Sequence, residues 1–217
     1  MHIFSSTFSS ILSFLINFTN DWFFAIALLT IGIKIFLFPF SLKQQRAQLL
    51  TSNFNKAKSI LTNKFKNKTE KANAEILKMA SKYKVNSITM FIPLLIQAPI
   101  FFSLYFSVLN LNSSVGSHVL PWISGVHSID NLHILPLLAG LSQGLSGFTM
   151  DGKNLFVYIV PVVIGLVFLW KAPAALSAYW IVNSVSKFLE MKIFSLSIVQ
   201  RKFLNIPTPE QMAEKTA

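Results

Sequence analysis

One ammonium group lies where hydrocarbon is expected. Lys34 interrupts the apolar run WFFAIALLTIGIKIFLFPFS at 22–41, about 18 Å of helix after its start and about 10 Å before its end. An ammonium left in hydrocarbon is costly, so it faces a polar cavity, finds a partner, or snorkels to the nearest interface, which a lysine stem of about 6 Å nearly reaches here. Carboxylates to neutralise it are missing from the spans. Asp130 and Glu190 fall at span edges, so no buried ion pair is predicted, and an unpaired cation needs water. Gln97, between Pro93 and Pro99, and Gln143 carry amides into other apolar segments. Tyr105, Tyr179, Trp180 and Asn183 add further polar atoms. Each amide alone is explained by interhelical hydrogen bonding; with Lys34 they point to a hydrated groove. Such a groove offers a positive charge and hydrogen-bonding groups rather than bond-making chemistry.

Nothing else in the chain resembles a reaction centre. There is no cysteine, hence no thiol nucleophile, disulfide or cysteine metal cluster. His118, His127 and His133 lack metal-ligand spacing and read as loop histidines. Asp21, Asp130 and Asp151 sit at span boundaries rather than in a pair, and no Walker A pattern occurs. The expectation is a protein that is not an enzyme and takes no cofactor or metal.

The elements that must position these residues follow from composition. The chain has 217 residues, 53% apolar and only 12% charged, with 21 Phe; a soluble domain carries about twice that share of charge. It reads as an all-α polytopic membrane protein. Residues 22–41 form the first span, 88–111 the second, and 132–193 hold the third to fifth, starting near Leu132, Leu155 and Pro173. Eleven of the nineteen basic residues lie within 42–87, opposed there only by Glu70 and Glu75, whereas 1–21 and the 112–131 loop contain none. The positive-inside rule then gives five transmembrane helices with the N-terminus outside and the C-terminus in the cytoplasm. Asp151 and Lys153 specify their loop weakly, and Lys171 is a mild exception.

Within 42–87, Leu50, Phe54, Ala57, Leu61 and Phe65 share one helical face, and Ala72, Ile76, Met79 and Tyr83 share another. With Thr69 as the second helix's N-cap, this predicts a cytoplasmic antiparallel helical hairpin between the first and second spans; a solvated lysine-rich linker is the alternative. Residues 1–21 pair an apolar face (Phe4, Phe8, Ile11, Leu12, Leu15) with serines and Asn17. They read as an amphipathic helix in the outer interface, with a cleaved signal as the rival. Residues 194–217 read as a cytoplasmic tail, basic in its first part.

Four runs carry a family likeness: IKIFLFPFSLKQQRAQ at 33–48, MFIPLLIQAPIFFSLYF at 90–106, ILPLLAG at 134–140 and APAALSAYWIVNSVSKFLE at 172–190. Together they resemble the YidC/Oxa/Alb membrane protein insertase family, in order, from about 20 to about 193. The resemblance implies a five-helix core, a cytoplasmic hairpin after the first helix, and a hydrophilic groove open to cytoplasm and lipid that receives the hydrophilic flank of a nascent membrane protein. The family's groove cation, usually arginine, maps to Lys34, which keeps the charge but not the planar fork. Polar groove positions map to Gln97 and Gln143, then to Tyr105, Trp180 and Asn183. The usual PAGL start of the last helix is PAAL at 173–176. The hairpin is shorter than in the family, implying reduced contact with translocon or targeting machinery.

The function implied is insertion of membrane proteins, alone or with a Sec-type translocon, by a monomer in the bacterial plasma membrane. Partners implied are nascent membrane proteins, the ribosome, a Sec-type translocon, signal-recognition machinery and anionic lipids. Hairpin residues Lys43, Arg46, Lys56, Lys58, Lys64, Lys66 and Lys68 would meet ribosomal RNA or lipid. A folding and assembly chaperone without translocation is the main alternative. A small-solute transporter or channel fits less well, since no inverted repeat or paired charges occur.

Overall fold

The computed structural model describes residues 2–66, 68–85, 92–111, 114–147 and 156–214. Every element of regular secondary structure among them is helical, apart from one isolated bridge between Ile129 and Pro173. The helices are α1 (His2–Thr19), α2 (Trp22–Lys64), α3 (Thr69–Tyr83), α4 (Ile92–Leu109), α5 (Ile134–Gly147), α6 (Phe156–Leu169) and α7 (Ala174–Ser195). A short α8 (Ser197–Val199), a π-helical turn (Gln200–Leu204) and α9 (Pro209–Glu214) follow. The chain divides into two units, one of residues 1–37 and 97–193, the other of 38–96 and 194–217.

In the first unit, α1 ends because Asn20 adopts φ 52°, a left-handed cap that asparagine tolerates. Asp21 then starts α2: its Oδ1 accepts from the amides of Phe23 and Phe24 at 2.8 and 3.2 Å, supplying acceptors to orphan helix donors. Leu12 and Ile16 of α1 are buried with Trp22, Ala25, Ile26 and Leu29 of α2, Leu104 and Val108 of α4, and the alanines that open α7. Small side chains at Ala174, Ala175, Ser177 and Ala178 let neighbouring backbones approach. The α5–α6 crossing depends on Gly140 in the same way, since a Cβ there would lie 2.8 Å from a Leu166 side-chain carbon and 3.3 Å from the Val162 carbonyl. Phe101 of α4 meets Phe168 of α6 and Trp180 of α7 with ring centroids 5.5 Å apart in each case.

The second unit has its own small core. Ala57 and Leu61 of α2, Met79 of α3, and Met212 and Ala213 of α9 are buried together, with Leu50, Phe54, Phe65, Ile76 and Tyr83 packed around them. Thr69 is not the cap of α3; Lys68 holds that position without a side-chain bond. The Lys68 carbonyl already accepts from Ala72, so helical bonding begins one residue before the threonine. Residues 194–217, expected as a tail, contain α9, whose start is a capping box: Gln211 N donates to Thr208 Oγ1 at 3.3 Å, and Thr208 N donates to Gln211 Oε1 at 3.1 Å. Pro209 fills the first helical position, where its missing amide costs nothing. Asn53 Nδ2 donates to the Pro207 carbonyl at 3.0 Å and ties this segment to α2.

The helices differ in extent from the apolar runs. α2 continues through 41 to Lys64, and α7 ends at Ser195, two residues beyond the 132–193 stretch. α2 alone is long and apolar enough by length and composition to cross a membrane among the described residues; Leu95–Leu109 and Ile134–Gly144 are shorter apolar helices. The Asp151–Lys153 loop lies outside the described residues.

Candidate functional site

Lys34 is on α2, half-buried, three turns beyond the fully buried Trp22. Its Nζ is 3.9 Å from Glu190 Oε2 on α7. This overturns the expectation of no carboxylate partner. Glu190 lies at the edge of the apolar sequence, but α7 continues beyond that edge, and the carboxylate is buried at 6% exposure. The contact is an ion pair by proximity, too long for a hydrogen bond, and neither Glu190 oxygen accepts one. Lys187 stands one turn earlier on α7 and is half-buried. The charged group is therefore one Lys34–Glu190 ion pair with a second lysine one turn away on α7.

The other predicted polar residues fall in different places. Gln97 of α4 donates from Nε2 to the Tyr179 hydroxyl of α7, a bond between neighbouring helices. Gln143 of α5 is half-buried, with its Cγ 3.8 Å from where a Cβ on Gly165 of α6 would stand. Tyr105 packs beside the core of the first unit, and Trp180 belongs to the aromatic group around Phe101. Asn183 is half-buried on α7. Among the described residues, Gln97 and Tyr179 are joined, Lys34 and Glu190 are joined, and no hydrogen bond links the two pairs.

A cleft of ≈ 550 Å³ opens between α1, α2 and α4, lined by residues such as Phe8, Leu15, Leu29, Gly32, Phe36 and Ile100. Its walls are apolar except for Ser103, and Lys34 is not among them. By helical spacing Lys34 points away from Leu29, Gly32 and Phe36, while Leu37, one turn beyond Lys34, also lines this apolar cleft.

Lys43, Arg46, Lys56, Lys58, Lys64, Lys66 and Lys68 are all exposed, a basic surface on the second unit that can meet an anionic partner. Two carboxylates of the first unit do different work. Asp21 Oδ2 accepts from His118 N at 2.7 Å and Ser117 Oγ at 3.1 Å. Burial opposes ionisation of Asp21, but these bonds, with those from Phe24 and Phe23, outweigh it and hold its pKa below the usual value. Asp130 accepts from Trp122 Nε1, Leu132 N and Leu135 N at 3.2, 3.1 and 2.7 Å. His133 stacks on Trp170 with ring centroids 4.1 Å apart. No three His, Cys, Asp or Glu side chains converge on a metal-sized site among the described residues.

The sequence model of the 60Kd inner membrane protein family matches residues 14–201, from within α1 to the π-helical turn after α7. The chain belongs to the YidC/Oxa/Alb membrane insertase family. It is similar to proteins named membrane protein insertase YidC from Helicobacter pylori strain ATCC 700392 / 26695 (28% identical over 197 residues, 88% of this chain and 36% of the relative) and from Lawsonia intracellularis (30% over 187 residues, 80% of this chain and 35% of the relative). A Shewanella frigidimarina protein of the same name is 29% identical over 190 residues, covering 84% and 35%. The chain thus spans about a third of the length of the curated relatives it matches.

Sequence reasoning missed Lys187 and α9 and set Glu190 aside as a span-edge carboxylate. For α9 the signal was present, because Thr208-Pro209-Glu210-Gln211 has the spacing of a capping box with proline at the first helical position. For Lys187 and Glu190 it was the helical register: three residues apart, they share a face of α7.

Proposed function

We propose that this chain is the membrane-embedded core of a membrane protein insertase. Five helices cross the bacterial plasma membrane with the N-terminus outside and the C-terminus in the cytoplasm, and a hydrated groove around Lys34 admits the hydrophilic, often acidic flank of a nascent membrane protein. The observation that carries this reading is a half-buried ammonium within the most membrane-like helix of a chain in this family.

Lys34 attracts the client's carboxylate, and Gln97 and Gln143 replace some of the water hydrogen bonds lost on entry. Tyr105, Trp180 and Asn183 line the path. The client's apolar helix then passes into lipid, and the burial of about 20 apolar residues drives release without nucleotide. The exposed basic residues of 42–68 hold ribosomal RNA or anionic headgroups. A Sec-type translocon and signal-recognition machinery are further partners.

The test is insertion of a single-span client with an acidic outer tail into proteoliposomes holding only this protein. Protection of the tail from protease should require the protein, fall at least tenfold with Lys34→Ala and persist with Lys34→Arg. No protection above empty liposomes removes autonomous insertion and favours a chaperone role. Full activity of Lys34→Ala removes Lys34 from the mechanism. Topology is checked in the same vesicles, because the chain has no cysteine and each introduced one is unique. An impermeant maleimide should reach Ser114→Cys from the outer side and Ser59→Cys only from the cytoplasmic side.

A further inference from the structure

Glu190 is an uncomfortable carboxylate. It is buried, both of its oxygens lack hydrogen-bond donors, and its nearest cation stands at 3.9 Å rather than in contact. A pair serving stability closes to about 2.8 Å and has its remaining lone pairs satisfied. Here the anion is held in reach of Lys34, with Lys187 one turn away on the same helix, while the Lys34 ammonium donates no hydrogen bond to another described residue and retains 19% side-chain exposure. Its three donors are available to a second acceptor.

We propose that Glu190 is a resident counter-ion of Lys34 that an acidic client segment displaces, and that it sets both the acidity needed for entry and the ease of release. The inference rests on the insertase reading and names the residue that tunes it. With Glu190 in place the cluster carries one net positive charge. An arriving carboxylate exchanges for one already present, so the site gives up one ion pair as it gains another, and a neutral segment gains nothing from the exchange. Without Glu190 two lysines face the client with no competitor; acidic segments bind tighter and leave more slowly. Lys187 keeps Glu190 paired while it is displaced, because it lies one turn away on the same helix.

The test uses the full chain in nanodiscs of neutral phosphatidylcholine and two fluorescent peptides that differ only by Asp against Asn. Glu190→Gln should tighten binding of the Asp peptide on the order of fivefold, the scale of one partly exposed ion pair, and leave the Asn peptide unchanged. Glu190→Asp retains the anion and should bind both peptides much as the wild type does, which also covers the event that the glutamine variant folds poorly. Adding Lys34→Gln to Glu190→Gln should abolish the gain. The proposal is overturned if Glu190→Gln changes neither peptide, changes both alike, or keeps its gain without Lys34. Insertion of the single-span client in parallel separates the two ideas. A wild type that inserts while Glu190→Gln leaves the Asp peptide unchanged sinks the counter-ion alone. A wild type that inserts nothing while Glu190→Gln still discriminates between the peptides sinks insertion and leaves the counter-ion standing.

Discussion

Asp21 and Asp130 are as deeply buried as Glu190, yet the three carboxylates live in opposite conditions. Each oxygen of Asp21 accepts two hydrogen bonds, and the two oxygens of Asp130 share three. Glu190 accepts none. The difference arises in the backbone around them. Asp21 and Asp130 stand at helix starts, where unbonded amides point outward and a short side chain can reach them. Glu190 stands inside α7, where the backbone amides are already committed to the helix. A carboxylate at a helix start holds structure; one within a helix has only other side chains or a ligand to answer it.

The largest effect expected from this contrast is on stability. Asp130→Ala or Asp21→Ala strands buried amides and should cost about 2–4 kcal/mol, read as a lower unfolding midpoint in detergent micelles. For Asp130 the loss includes the Trp122 indole bond, so near-ultraviolet circular dichroism should change as well. If either substitution is silent, hydrogen bonding does not distinguish the two kinds of site.

Acid should discriminate in the same way. Asp21 has a folded-state pKa below its ordinary value, so its contribution is complete above the unfolded pKa of about 4 and is lost as pH falls through the folded value. Unfolding midpoints measured downward from pH 5 should fall more steeply for wild type than for Asp21→Asn. Parallel curves would show that the carboxylate's charge contributes nothing through these bonds.

A milder case lies at the surface of the second unit. Thr208 and Gln211 satisfy one another as the buried aspartates satisfy their amides, but both are exposed. Water can replace the lost bond there, so Thr208→Ala should cost about 1 kcal/mol. Faster amide exchange across 209–214, with the first unit unaffected, is the expected signature.

These cases also explain what the sequence made legible. Helices were readable wherever an apolar face repeats, as in Leu50, Phe54, Ala57 and Leu61, because burial imposes that period on the residues themselves. Their ends were less so: α2 runs through the change from apolar to basic sequence at Ser41, since a helix needs only its backbone bonds and not a uniform environment. Of the candidate site, Lys34 was legible because a charge in an apolar run is costly wherever it stands. Its partner was not, because Glu190 is 156 positions away in a stretch already mixed in polarity, and only packing brings it near. The joining of Gln97 to Tyr179 was hidden for the same reason.

The smallest stability effect belongs to the pair that looks most like a structural salt bridge. Glu190→Gln preserves shape and loses an interaction at 3.9 Å. Its cost is set by a long ion pair with no hydrogen bond to break, so the unfolding midpoint in micelles should move by no more than about 1 kcal/mol of stability in either direction. Placing one more cation without its anion works against the folded state; relieving a carboxylate of burial without donors works for it, and the two nearly offset. A loss as large as that of Asp130→Ala would make the Lys34–Glu190 pair a structural bond and erase the distinction between the two kinds of buried charge. A small change, alongside tighter binding of the acidic peptide, would locate the importance of Glu190 in what the cluster admits.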